Sequence, residues 1–226
     1  WGRPRRRTRR SHRPGAHRSV SHRNQYTLLY LYSFPYITGK FLTVRTPVKY
    51  KAPFSPGIFY LKVFRSIDGL LLFQEHSDYL LFLQQFASYF HPVLNTLAYS
   101  LLNNHTHFIV QIKERKLLLE QIMAIPDKFR TAAMNKVLTD AANDSLLDTM
   151  IERQANSFMA SYVNLKNFQT DRKGGLFQSP FRRSFITNDG HLNQAIIYVH
   201  ANAQKHGIVN DYKQHIYNSY HEILKV

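Results

Sequence analysis

The 226-residue chain contains no cysteine. That removes a disulfide framework and every thiolate metal site, and it suits a reducing compartment. Any metal must be held by imidazole, carboxylate or amide oxygen. Acid is missing from the whole front of the chain, where the first carboxylate is Asp68. Long apolar runs are missing too. Residues 26–38 (YTLLYLYSFPYIT) fall short of the roughly 20 residues a bilayer span needs, and Pro35 interrupts them. A signal peptide there would lack a clear small-residue cleavage site. No membrane segment is expected, and no internal repeat is visible.

Positive charge is what the chain has in excess, and it is unevenly placed. The formal net charge of +16 first suggests a nucleic-acid partner. Residues 1–23 carry nine Arg with neither Lys nor acid, and residues 24–67 add six bases. From 68 to 226 there are 15 Lys+Arg against 14 Asp+Glu, a net of +1. The basic signal therefore belongs to the front, and the global charge does not by itself make the folded part a DNA binder. Residues 1–23 hold too little apolar content to fold. They read as a phosphate-binding arm, as an organelle transit peptide, or as sequence that is not natively translated, since the chain begins with Trp rather than Met. Pro47, Pro53 and Pro56 mark an irregular connector before Gly57. The expected organisation is a basic, disordered extension over 1–56 and one domain over 57–226. At 44% hydrophobic residues overall, a core for that domain is affordable.

Residues 58–65 (IFYLKVFR) read as a strand, rich in aromatic and branched side chains. Asp68-Gly69 is a turn signal, and residues 76–90 repeat apolar positions at helical spacing. Residues 96–102 and 106–112 are strand-like, with Asn103-Asn104 suited to a tight hairpin between them. Residues 116–165 are mainly helical, broken near Pro126-Asp127, and Gly174-Gly175 ends that section. Residues 190–204 read as a helix stopped by Gly207. Strand, helix, hairpin, helices, helix is an α+β layout.

Two features carry chemistry. In His105-Thr106-His107, strand geometry puts both imidazoles on one face, where they can grip one divalent cation. With 12 His in the chain, such a pair also arises from ordinary surface or hydrogen-bonded histidines. It opens metallohydrolase motifs as well, but Gln111, Lys113 and Glu114 follow in place of a second ligand set. On the last helix, Tyr198 and Asn202 stand at i and i+4, on one face. A phenol needs help to act as a nucleophile, and a metal that polarises a scissile phosphate supplies it. The amide oxygen of Asn202 can reach the same metal, while three neutral ligands leave positions open for phosphate oxygens and favour Mg²⁺ or Mn²⁺. His200 stands about 160° round the helix from Asn202 and cannot share its site, whereas His206 is one turn beyond and can line a DNA path. Tyr162 is a rival nucleophile, disfavoured by Lys166 one turn on, which would repel a cation. With 14 Tyr, most such positions are core or boundary residues.

Together these segments resemble the single-tyrosine HUH transposases, in particular the REP-associated tyrosine transposases. Residues 97–110 (LAYSLLNNHTHFIV) look like the family's strand–turn–strand ending in two metal-binding histidines. Residues 174–184 (GGLFQSPFRRS) look like its Gly–aromatic–Gln–Phe–basic segment, and 197–209 (IYVHANAQKHGIV) like its catalytic helix. Residues 217–220 (YNSY) and the opening strand with IDGLLLF at 67–73 also fit, so that the likeness spans about residues 57–222. Thr106, Asn103 and Ala203 depart from the family pattern without removing a reactive group. The resemblance implies a ferredoxin-like (RRM-like) antiparallel sheet with helices packed on it, of the HUH-endonuclease type. It implies that His105, His107 and Asn202 coordinate Mg²⁺ or Mn²⁺ and that Tyr198 attacks single-stranded DNA to give a 5′-phosphotyrosine link and a free 3′-OH. Hairpin or palindromic DNA would be the partner, with Lys173, Arg182, Arg183 and His206 as candidate DNA contacts and Phe177 and Phe181 as stacking partners. A monomer or homodimer in a bacterial cytoplasm, associated with DNA, is the matching expectation. The alternative is a catalytically silent hairpin-binding protein on the same fold.

Overall fold

The computed structural model describes residues 52–225. The arginine-rich arm and the apolar run at 26–38 lie outside the described residues. The domain starts earlier than Gly57. Ala52 and Phe54 are buried, and the Tyr60 hydroxyl donates to Pro53 O at 2.6 Å while accepting from the Ser55 N–H at 2.9 Å. The connector prolines are thus stitched to the first strand.

Four strands form one antiparallel sheet: β1 (Phe59–Arg65), β2 (Leu94–Leu102), β3 (His105–Ile112) and β4 (Arg182–Ile186), in the order β2-β3-β1-β4. Helix α1 (His76–Phe90) joins β1 to β2. Three helices, α2 (Arg115–Ala124), α3 (Ala132–Thr139) and α4 (Asp144–Gln169), lie between β3 and β4. Helix α5 (Asp189–Lys205) follows β4, and a short α6 (Tyr220–Ile223) closes the described chain. The layout is α+β with ferredoxin-like strand order. β4 is the element the sequence reading lacks. It is short, it begins with two arginines, and no apolar alternation announces it.

Side chains alternate across the sheet, so its two faces receive different residues. On one face Tyr60, Phe64, Phe108, Val110 and Ile112 pack with α1 and α4 into an aromatic core around Phe82, Phe86 and Phe158. On the other, Ala98, Ile109 and Ile186 meet Ala195 and Val199 of α5. That second core is small, and it holds α5 against the strands that carry the histidines. The YNSY segment covers the outer edge of β2: Leu101 N–H donates to Tyr217 O and Ser219 N–H to Tyr99 O. An edge paired in this way is no longer open to another strand. No helix among the described residues is long and apolar enough to cross a membrane.

Candidate active site

His105 and His107 project from β3 onto the α5 face, because Thr106 between them is fully buried on the opposite, aromatic face. The Asn103-Asn104 turn before them is held from several directions. Asn103 O accepts from the Leu72 and Phe73 N–H groups, Tyr79 donates to Asn103 Oδ1 at 3.1 Å, and Ser66 N–H donates to Asn104 O. His105 Nδ1 donates to Asn104 Oδ1 at 2.7 Å, which fixes the ring and leaves the lone pair of the neutral imidazole on Nε2. The two imidazole centroids are 5.1 Å apart.

Helix α5 supplies the other side. Asn188 caps it by accepting from the His191 N–H at 2.8 Å, and Gly207, at φ +68°, ends it in a conformation that a side chain would strain. Between cap and stop, Tyr198, Asn202 and His206 follow at four-residue spacing. Tyr198 is half-buried, its ring edge-on to His107 at 5.6 Å. His206 lies against His105 at 4.9 Å. Asn202 is wholly buried.

A cavity opens between α5 and the sheet, lined among others by His105, His107, Tyr198, His206, Arg65 and Arg182, and no carboxylate among the described residues is in its wall. Burial, the Arg65 charge and His206 bring the His105 pKa down to about 4. His107 is pushed well below its ordinary value by burial and by the neighbouring His105, His206, Arg65 and Lys205. His206 is lowered by burial, Arg65 and Lys205. Imidazoles so placed are neutral at pH 7, the form that ligates a metal.

Donor chemistry fits a divalent cation. Both ring nitrogens of His107 and both amide atoms of Asn202 are buried without a hydrogen-bond partner among the described residues. Each such atom costs on the order of 1–3 kcal/mol unless something else satisfies it. Among the described residues no three His, Asp or Glu side chains converge to hold a metal. A site built here would take the two imidazoles of β3 with the amide of Asn202, one turn along α5 from Tyr198, and would stay open to further oxygen ligands.

The other sequence candidates separate clearly. Arg182 and Arg183 both contribute to the cavity lining and Lys173 does not. Arg183 departs from its expected role as a DNA contact. Its side chain, 2% exposed, is on the aromatic face, bonded to Ala52 O, Glu152 and Asp148 and stacked on Phe54. Neighbours in a strand point to opposite faces, so the Arg183 guanidinium is carried to the side of the sheet away from that of Arg182. Phe181 is a core residue and Phe177 packs against that core. Tyr162 is fully buried, donating to Leu72 O at 2.8 Å, so it reaches no DNA. Its neighbour Lys166 is bound to Asp78 at 2.7 Å. His200 faces away and bonds Ser219 at 2.9 Å.

Two cations at the site were not singled out from the sequence. Arg65 ends β1 directly across from His105, and Lys205 Nζ stands 5.1 Å from the Tyr198 ring centroid. Lys205 was findable, because seven residues after Tyr198 is two helical turns on the same face. Arg65 shares a face with Leu61 and Val63 by alternation, but its meeting with His105 depends on the strand order.

No family model matches the chain, and no curated protein matches it. Among solved structures, it is similar to a REP-associated tyrosine transposase bound to a REP hairpin, with 14% identity and a TM-score of 0.51. The match covers 78% of this chain and 85% of that one. At this identity the two share the fold: an antiparallel four-stranded sheet with helices packed on it.

Proposed function

We propose that the chain is a metal-dependent single-tyrosine transposase or endonuclease that cuts and rejoins single-stranded DNA, with hairpin DNA as its partner. One observation carries the reading. Tyr198 lies against an imidazole whose two nitrogens, like the amide of Asn202, are buried without partners among the described residues, on a fold shared with a hairpin-bound transposase. A structural histidine or asparagine in a core is normally hydrogen-bonded, and a pair left unsatisfied at one site points to a ligand.

His105, His107 and Asn202 would hold the divalent cation. When bound, it polarises the scissile phosphate and stabilises negative charge on the entering and leaving oxygens. Tyr198 then attacks phosphorus through its phenolic oxygen. The new bond is the 5′-phosphotyrosine ester, and the broken bond is that to the 3′ oxygen. The phenol gives up its proton, and the departing 3′ oxygen leaves as a hydroxyl having gained one. Because the ester linkage is conserved, attack by another 3′-OH reverses the step and joins strands without ATP. Asn104 keeps His105 in the tautomer this requires, and α5 fixes Tyr198 and Asn202 as one rigid unit.

The test is a labelled single-stranded hairpin oligonucleotide incubated with the full chain and Mn²⁺, run on a denaturing gel. A covalent protein–DNA band is expected. It should vanish in Tyr198→Phe, on chelation, and in the His105→Ala/His107→Ala double variant while folding is retained. Binding without a band in any metal would instead leave a silent hairpin-binding protein.

A further inference from the structure

The cavity is peculiar in its charge. Metal sites that take Mg²⁺ or Mn²⁺ usually bring carboxylates to balance the ion. Here the candidate ligands are neutral, no carboxylate among the described residues lines the wall, and Arg65 and Lys205 stand beside them with Arg182 also in the wall. We infer that Arg65 and Lys205 bind backbone phosphates of single-stranded DNA at the imidazole cavity and, by the same charge, oppose the divalent cation until DNA is present, so that metal and DNA load together. The inference rests on the strand-transfer reading above for its ligands.

Placement supports both halves. Arg65 sits opposite His105 in the β1–β3 register, and directly paired residues share a face, so its side chain leaves the sheet beside the imidazole. Lys205 approaches from the helix, over the ring of Tyr198. Both are exposed, and neither belongs to an ion pair among the described residues. A DNA strand crossing from the sheet to the helix passes between them. Two positive charges this close to the imidazoles oppose a divalent cation there, since repulsion scales with charge. Each phosphate that enters brings one negative charge, which neutralises a cation and adds oxygen ligands to the open side. Linkage then makes the effect mutual: the factor by which DNA tightens metal equals that by which metal tightens DNA.

This coupling has a signature that ordinary structural damage lacks. Removing Arg65 or Lys205 should move the two ligands in opposite directions. The full chain carrying Tyr198→Phe, unable to form the ester, is titrated with Mn²⁺ by calorimetry, alone and with a single-stranded oligonucleotide. DNA should tighten Mn²⁺ by about tenfold or more, and Mn²⁺ should tighten DNA equally. In Arg65→Met and in Lys205→Met, Mn²⁺ alone should bind about threefold tighter. DNA should bind more weakly, with the slope of log K against log salt reduced by about 0.7 per residue. Lys136→Met, which removes an exposed charge on α3, should change neither. Metal affinity indifferent to DNA, or variants that lose both ligands together, would overturn the inference. The outcomes separate from the chemistry itself: a tyrosyl adduct in the wild type without opposite-signed shifts sinks the coupling alone, and the shifts without an adduct sink the strand-transfer reading alone.

Discussion

Lys62 stands on β1 with its face toward the aromatic core. Its Nζ lies 4.0 Å from the centroid of Phe90, 4.8 Å from Phe64 and Phe181, and 5.8 Å from Phe54, with no hydrogen-bond partner among the described residues. The rings favour an ammonium, by about 2 kcal/mol in a desolvated setting. Burying an unpaired charge costs several kcal/mol, so burial wins. Burial and then the Arg183 charge hold the Lys62 pKa well below its ordinary value. The sign follows from the proton count. Between the folded value and the ordinary one, the unfolded chain binds a proton on Lys62 that the folded chain refuses, so over that window this residue makes stability rise with pH, by at most about 1.4 kcal/mol per unit. Lys62→Met should therefore stabilise the fold near pH 7 by about 1–3 kcal/mol, with the advantage shrinking as pH approaches 10. Urea unfolding of both proteins across that range measures it. A variant less stable at every pH would show that the amine contributes packing or an interaction that methionine cannot replace. Arg183 and Lys62 were unreadable for one reason. From a single sequence a charged residue is assigned to solvent, and only the paired carboxylates of Asp148 and Glu152 on α4 make Arg183 tolerable inside.

Among the elements, legibility tracked length and periodicity. α1 has the bounds its apolar spacing predicts, α5 begins and ends within a residue of expectation, and the hairpin turn falls at Asn103-Asn104. β4 was not legible, since five residues with charge at one end carry no decisive alternation. The helices are tied by a polar joint that no pattern revealed. Asp78 accepts from the Gln74 and Glu75 N–H groups at the start of α1 and from Lys166 near the end of α4. Burial raises the Asp78 pKa, but the Lys166 bond and the two N–H donors outweigh it and the net shift is downward. A depressed carboxylate contributes stability above its ordinary pKa and loses it as pH falls through the folded value. Asp78→Asn leaves Lys166 buried and unpaired. It should destabilise by about 3 kcal/mol at pH 7 and flatten the acid limb of the stability profile. Denaturant melts at pH 7 and pH 3 check both, and an unchanged midpoint at pH 7 would contradict the joint. Tyr198 chemistry, if the protein is kept below its unfolding range, should survive this change.

Over the whole molecule, nearly all of the +16 belongs to the first 67 residues. Of those bases, Arg65 at the end of β1 stands at the candidate site, where Arg182 of β4 and Lys205 of α5 join it from the nearly balanced remainder. The histidine pair and the tyrosine helix were legible separately, but what brings them together is the small second core of Ala98, Ile109, Ile186, Ala195 and Val199. No spacing in the sequence states that α5 packs on β3 rather than elsewhere. The central claim is that Tyr198 becomes covalently joined to DNA. It is tested most directly by incubating the full chain with single-stranded hairpin DNA and Mn²⁺, digesting with protease and nuclease, and sequencing the nucleotide-bearing peptide by mass spectrometry. The account predicts a 5′-nucleotide on Tyr198 within the α5 peptide. A nucleotide on any other tyrosine, or a cleaved strand with no peptide modified, would contradict it.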